Sequence, residues 1–122
     1  ETSNFQMQTG ASLLQSNELQ DALKIFESLS KKEPKWAEPI NKIATIKFLM
    51  GDYLGSVNDI KLTLQLEPRH FGAISGLVQI NIHLNNYNEA LKNIDYVSKI
   101  HPFINIQQLR PHILKLIKKS SI

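Results

Sequence analysis

The sequence predicts an all-α fold of three helical hairpins in tandem, followed by one further helix. Three observations predict it. Pro34, Pro68 and Pro102 recur every 34 residues, and a fixed period of this length marks a structural repeat. Counting back from each proline, small or compact residues stand 24 before it (Gly10, Ala44, Val78) and 12 before it (Ala22, Ser56, Ala90), where two helices can approach closely. Larger apolar residues stand 8 before it (Phe26, Ile60, Ile94), 11 before it (Leu23, Val57, Leu91) and 15 before it (Leu19, Tyr53, Tyr87).

Within each unit the apolar positions keep a helical spacing of three to four, as in Ile40, Ile43, Ala44 and Phe48, then Tyr53, Val57, Ile60 and Leu64. Turn chemistry separates the two runs: Asn17-Glu18, Gly51-Asp52 and Asn85-Asn86 occupy the same place in the three units. Gly51 suits a left-handed helix end. The prolines stop the second helix of each unit, because proline has no amide hydrogen and restricts the residue before it. The expected helices lie near 4–16, 19–31, 37–50, 53–66, 71–84 and 87–100, and a seventh fills most of 106–119. Pro111 would kink a helix interior, so the regular part of the seventh is expected to begin close to Gln108 or Arg110 with proline in its first turn.

This pattern resembles the tetratricopeptide repeat, a 34-residue helical hairpin with small residues at two close-contact points, an aromatic after the turn and a terminal proline. The resemblance covers residues 3–104, with repeats near 3–36, 37–70 and 71–104 and a capping helix near 106–119, all within a single domain spanning 1–122. It is most specific at Gly51-Asp52-Tyr53 and at Asn86-Tyr87-Asn88-Glu89-Ala90. The first unit departs from the pattern at Gln6, Thr9 and Lys32, as terminal repeats often do. A narrower likeness, from Trp36 to Leu77, is to a group of alphaproteobacterial and organellar tetratricopeptide proteins. That likeness implies a bacterial periplasmic or organellar location, with the cytoplasm as the alternative; the chain opens at Glu1 without a basic then apolar leader.

The resemblance implies a right-handed α-solenoid whose first helices line a concave, peptide-binding groove. Carried onto this chain, its groove positions are Met7, Ala11, Leu14 and Gln15, then Asn41, Thr45, Phe48 and Leu49, then Ser75, Gln79, Ile82 and His83. Asn41 and Gln79 can bond a ligand main chain, and Phe48 and Ile82 can hold an apolar side chain; alternatively Phe48 and Ile82 pack inside the protein. The co-chaperone members that grip a C-terminal carboxylate need basic and amide groups where this chain has Met7, Ala11, Lys42, Gly72 and Gly76. Only Lys42 is basic, so a heat-shock tail is not the expected ligand.

The function classes excluded by composition narrow the rest. The 122 residues contain no cysteine, which removes disulfides, thiolate metal sites and cysteine nucleophiles. His70, His83, His101 and His112 lack metal-ligand spacing. There is no glycine-rich phosphate loop or nucleophile elbow, and the carboxylates scatter over helix surfaces. Neither an enzyme nor a cofactor is expected. The longest uncharged stretch, 70–88, carries too many amides, with His83 among them in its second half, to cross a bilayer. Arg69 and His70 are read either as a partner contact or as part of a connector, and Trp36 as a partner anchor or as interface packing.

The net charge of +3 divides unevenly: residues 1–95 carry −2 and residues 96–122 carry +5. At 100° per residue Ile106, Leu109, Ile113, Leu116 and Ile117 form one stripe, with Lys115, Lys118 and Lys119 opposite. Arg110 adds to this basic C-terminal patch. It reads as a soluble cap or as a contact for anionic lipid, nucleic acid or an acidic partner. The leading expectation is a non-catalytic adaptor or scaffold binding a protein or peptide through its groove. The alternatives are a constitutive subunit of a larger complex held by edges and convex surface, and a membrane or nucleic-acid tether.

Overall fold

A computed structural model describes residues 2–101 and 105–120. The helices are α1 (Ser3–Gln15), α2 (Leu19–Lys32), α3 (Ala37–Leu49), α4 (Tyr53–Leu66), α5 (Phe71–His83), α6 (Tyr87–Ile100) and α7 (Arg110–Ser120), the last preceded by a 3₁₀ turn, Asn105–Leu109. Each of the first six lies within one residue of its expected bounds, and the regular part of the seventh begins at Arg110 with Pro111 in its first turn, as expected, after the 3₁₀ turn. Pro102, expected to close the third hairpin, lies outside the described residues. The described helices pack as two compact units, Glu1–Pro68 and Arg69–Ile122.

The three hairpin turns share one backbone solution. Asn17, Gly51 and Asn85, each 34 residues apart, have φ of 62°, 84° and 62°. In every case the left-handed residue donates to a carbonyl three back, and the next amide donates five back: Glu18 to Leu13, Asp52 to Lys47, Asn86 to Asn81, at 2.8, 2.8 and 2.7 Å. This paired bonding satisfies the orphan carbonyls of the first helix and reverses the chain. Glycine takes the conformation without strain; asparagine is the side chain that tolerates it best. Asp52 then caps α4, its carboxylate accepting from the Gly55 amide at 3.0 Å.

In the first unit Ala22, Phe26, Ile43 and Ile46 form a buried cluster against which Met7, Leu13, Leu14, Leu19 and Leu23 pack. Gly10 is what lets the Phe26 ring in: a methyl added there would stand 2.6 Å from the ring. One turn of logic recurs in α3 and α4, where Ser56, wholly buried, donates to the Ala44 carbonyl at 2.7 Å. The close approach anticipated from small residues is therefore real in both hairpins. Burial of each large side chain contributes about 1.5–3 kcal/mol.

In the second unit Val78, Ala90, Ile94 and Ile113 form the buried cluster, with Ile82, Tyr87, Leu91, Ile106, Leu109 and Ile117 around it. Ile113 comes from α7, so the last helix completes the core of this unit. Of the stripe read from the sequence, Ile106 and Leu109 of the 3₁₀ turn and Ile113 and Ile117 of α7 take part.

Candidate functional site

The first helix of each hairpin presents a face away from its partner helix. On α3 that face carries Asn41, half-buried, and Thr45 and Leu49, both exposed. Thr45 Oγ1 donates to the Asn41 carbonyl at 3.1 Å, leaving its lone pairs outward. Glu38 and Lys42 lie 3.8 Å apart on the same face and offset one another's charge. On α5 the corresponding residues are Ser75, half-buried, and Gln79 and His83, both exposed. Both faces offer hydrogen-bonding groups with little net charge.

Four of the residues expected on these faces are partly buried against neighbours, Leu14 of α1 among them. Met7 packs against the core of the first unit, and Ile82 against the cluster that contains Ile113. Phe48 is half-buried with its ring edge-on to Tyr53, centroids 5.4 Å apart at 80°. These side chains support the hairpins from beneath.

The connectors are occupied with structure. His70 Nδ1 accepts from the Ala73 amide at 3.0 Å and caps α5. Arg69 donates to the Ile100 carbonyl at 3.1 Å. Phe71 stands edge-on to His101, centroids 4.5 Å apart. Trp36 is half-buried at the start of α3 and lines a shallow cleft with Lys32, Glu33, Pro34 and Lys35. Two off-pattern residues of the first hairpin satisfy each other, Lys32 donating to Gln6 Oε1 at 3.2 Å.

At the C-terminal end Arg110 is held by Asp95 in an ion pair between α7 and α6. Lys115, Lys118 and Lys119 are exposed on the opposite side of α7 from Ile113. Among the described residues no group of three or more histidines and carboxylates is arranged to hold a metal. Among them, too, no helix is long and apolar enough to cross a membrane. The uncharged stretch 70–88 is α5, its turn and the start of α6.

No protein-family model matches the chain. It is 35% identical over 101 residues to a tetratricopeptide repeat-containing protein of Rhizobium etli, across 83% of this chain. The chain is built of tetratricopeptide repeats. It spans 50% of the length of that relative. The repeat fold also appears in solved structures at low identity. The first tetratricopeptide domain of human RPAP3 has a TM-score of 0.88 at 16% identity, covering 98% of this chain and 94% of that one. The Sgt2 domain of Aspergillus fumigatus scores 0.87 at 13%, covering 98% and 81%. The first repeat domain of Spaghetti (RPAP3), solved with the HSP90 peptide SRMEEVD bound, scores 0.85 at 14%, covering 98% and 94%.

Superposing the repeats in register exposes pairs that the apolar pattern conceals. Lys47 and Asp59 bridge α3 and α4 at 2.8 Å. The buried Asp59 Oδ2 is off the line of a regular hydrogen bond, so the ammonium charge is what offsets its desolvation. Thirty-four residues on, Asn81 donates to Asn93 at 2.8 Å between α5 and α6. In the first hairpin the same two places hold Leu13 and Ile25. The signal for these pairs was present in the sequence, as complementary side chains 12 apart at one register. A second feature outside the apolar stripes is the outer side of α4, where Leu54 is 74% exposed, with Leu62 and Leu66 also exposed.

Proposed function

We propose that the chain is a non-catalytic interaction module whose first helices, α3 in one unit and α5 in the other, each offer an outward face to a protein or peptide partner. The observation that carries this reading is the exposure of Thr45, Leu49, Gln79 and His83, which the packing of the hairpins does not require. On either face such a mixture of amide, hydroxyl and apolar groups suits an extended or helical peptide, with Asn41 or Gln79 bonding its main chain. Peptide binding by a tetratricopeptide neighbour supports the class of ligand. It does not extend to the heat-shock tail, since Met7 is an apolar side chain packed against the core and Lys42 is paired with Glu38.

A second reading is favoured by Leu54, Leu62 and Leu66: the chain is a fixed subunit of a larger complex, gripped along α4. The two part in one experiment. Copurification from the native source is compared for the parent, for Asn41→Ala with Thr45→Ala and Gln79→Ala, and for Leu54→Gln with Leu62→Gln. Loss of the partner with the first set supports binding through α3 and α5. Full recovery with that set, and loss with the second, replaces it by the subunit reading.

A further inference from the structure

The outer side of α7 carries a concentration of charge that neither the fold nor the proposed binding face uses. Ile113 is wholly buried and Ile117 packs beside it, which fixes the rotation of the helix about its axis. At 100° per residue Lys115, Lys118 and Lys119 then point away from the core, with His112 at their edge, and all four are exposed. None of the three lysines has an ion pair or hydrogen bond among the described residues. Asp95, the last acidic residue of the sequence, is engaged by Arg110.

Solubility alone does not account for this. The exposed faces of α2 and α6 mix signs, Asp21 with Lys24 and Glu27 with Lys31 on one, Glu89 with Lys92 and Asp95 with Lys99 on the other. The helix dipole favours cations in the last turn, which holds Lys118 and Lys119. Lys115 lies outside that turn, and the dipole gives it no reason to be basic.

We propose that this face docks an acidic segment of a partner protein, whose carboxylates meet Lys115, Lys118 and Lys119. Charge complementarity selects the partner. A membrane would need a row of apolar side chains on the same face, whereas Ile113 and Ile117 of α7 are packed inward and Leu114 is the exposed large apolar residue of that helix. A nucleic acid would need many phosphate contacts, whereas three lysines sit on an 11-residue helix attached to a region of net charge −2. A few carboxylates at helical spacing match the patch in both number and length. Lysine, a point charge, pairs with them without a set geometry.

Fluorescence anisotropy of the whole chain tests the proposal with a labelled glutamate-rich peptide, its glutamine counterpart, single-stranded DNA and phosphatidylserine vesicles. The glutamate peptide alone should bind well, weakening about tenfold between about 50 and 300 mM salt. Lys115→Gln with Lys118→Gln and Lys119→Gln should weaken it about tenfold, whereas Lys24→Gln with Lys61→Gln should not. Unchanged binding by the triple variant overturns the proposal, as does tighter binding of DNA or vesicles than of the peptide. If the triple variant loses helicity, replacement of the three lysines by arginine should retain binding, and its loss overturns the proposal too. Asn41→Ala leaves this binding intact if the two surfaces are separate, so failure here is distinguishable from failure of the first.

Discussion

The second and third hairpins fold the same chain path with different chemistry at the same places. Where α3 and α4 are bridged by the Lys47–Asp59 ion pair, α5 and α6 are bridged by the amides of Asn81 and Asn93. Where one turn uses Gly51, the other uses Asn85. What does not vary is smallness at the crossing, Ala44 with Ser56 and Val78 with Ala90, and a large apolar residue eight before the proline, Ile60 or Ile94. The fold thus depends on volume and on three left-handed residues, and it tolerates any satisfied pair between the helices.

The largest effect should come from what the hairpins share. Ile60→Ala and Ile94→Ala each remove a side chain that is at most 2% exposed. Each should cost about 2–5 kcal/mol in urea unfolding. A cost for one several times that of the other would break the equivalence of the two positions.

The cross-helix pairs should respond unequally. Asp59→Ala leaves the Lys47 ammonium without its partner and should cost about 1–3 kcal/mol, against about 1 kcal/mol for Asn93→Ala. Lys47→Leu combined with Asp59→Ile copies the first hairpin at these places and should be neutral or stabilising. A double variant as unstable as Asp59→Ala would mean that the charge itself is required.

The smallest effects belong to the turns. Gly51→Ala forces a methyl into a φ of 84° and should cost about 1 kcal/mol. Asn85→Gly relieves a milder strain but removes the acceptor of the Tyr87 hydroxyl at 2.7 Å, and should change the melting midpoint little.

These contrasts also explain what was legible in the sequence. Helices and turns were, because apolar spacing, Gly51 and the two asparagines act locally. The start of the seventh helix was legible too, through the place of Pro111 in its first turn, while the 3₁₀ turn before it was not. The proposed binding face was less legible. Positions carried over by register fix which side of a helix a residue occupies. They do not fix whether a long side chain leans outward, as Gln79 and His83 do, or inward, as Met7 and Ile82 do. The exposed leucines of α4 escaped notice because leucine, lying off the apolar stripe, carries no periodic signal.

The central functional claim is that the outward faces of α3 and α5 bind the partner. Amide chemical-shift mapping of the labelled chain with the copurified partner tests it most directly. The account predicts the largest shifts at Asn41, Thr45, Leu49, Gln79 and His83. Shifts confined to Leu54, Leu62 and Leu66 on α4, with those five unmoved, would contradict it.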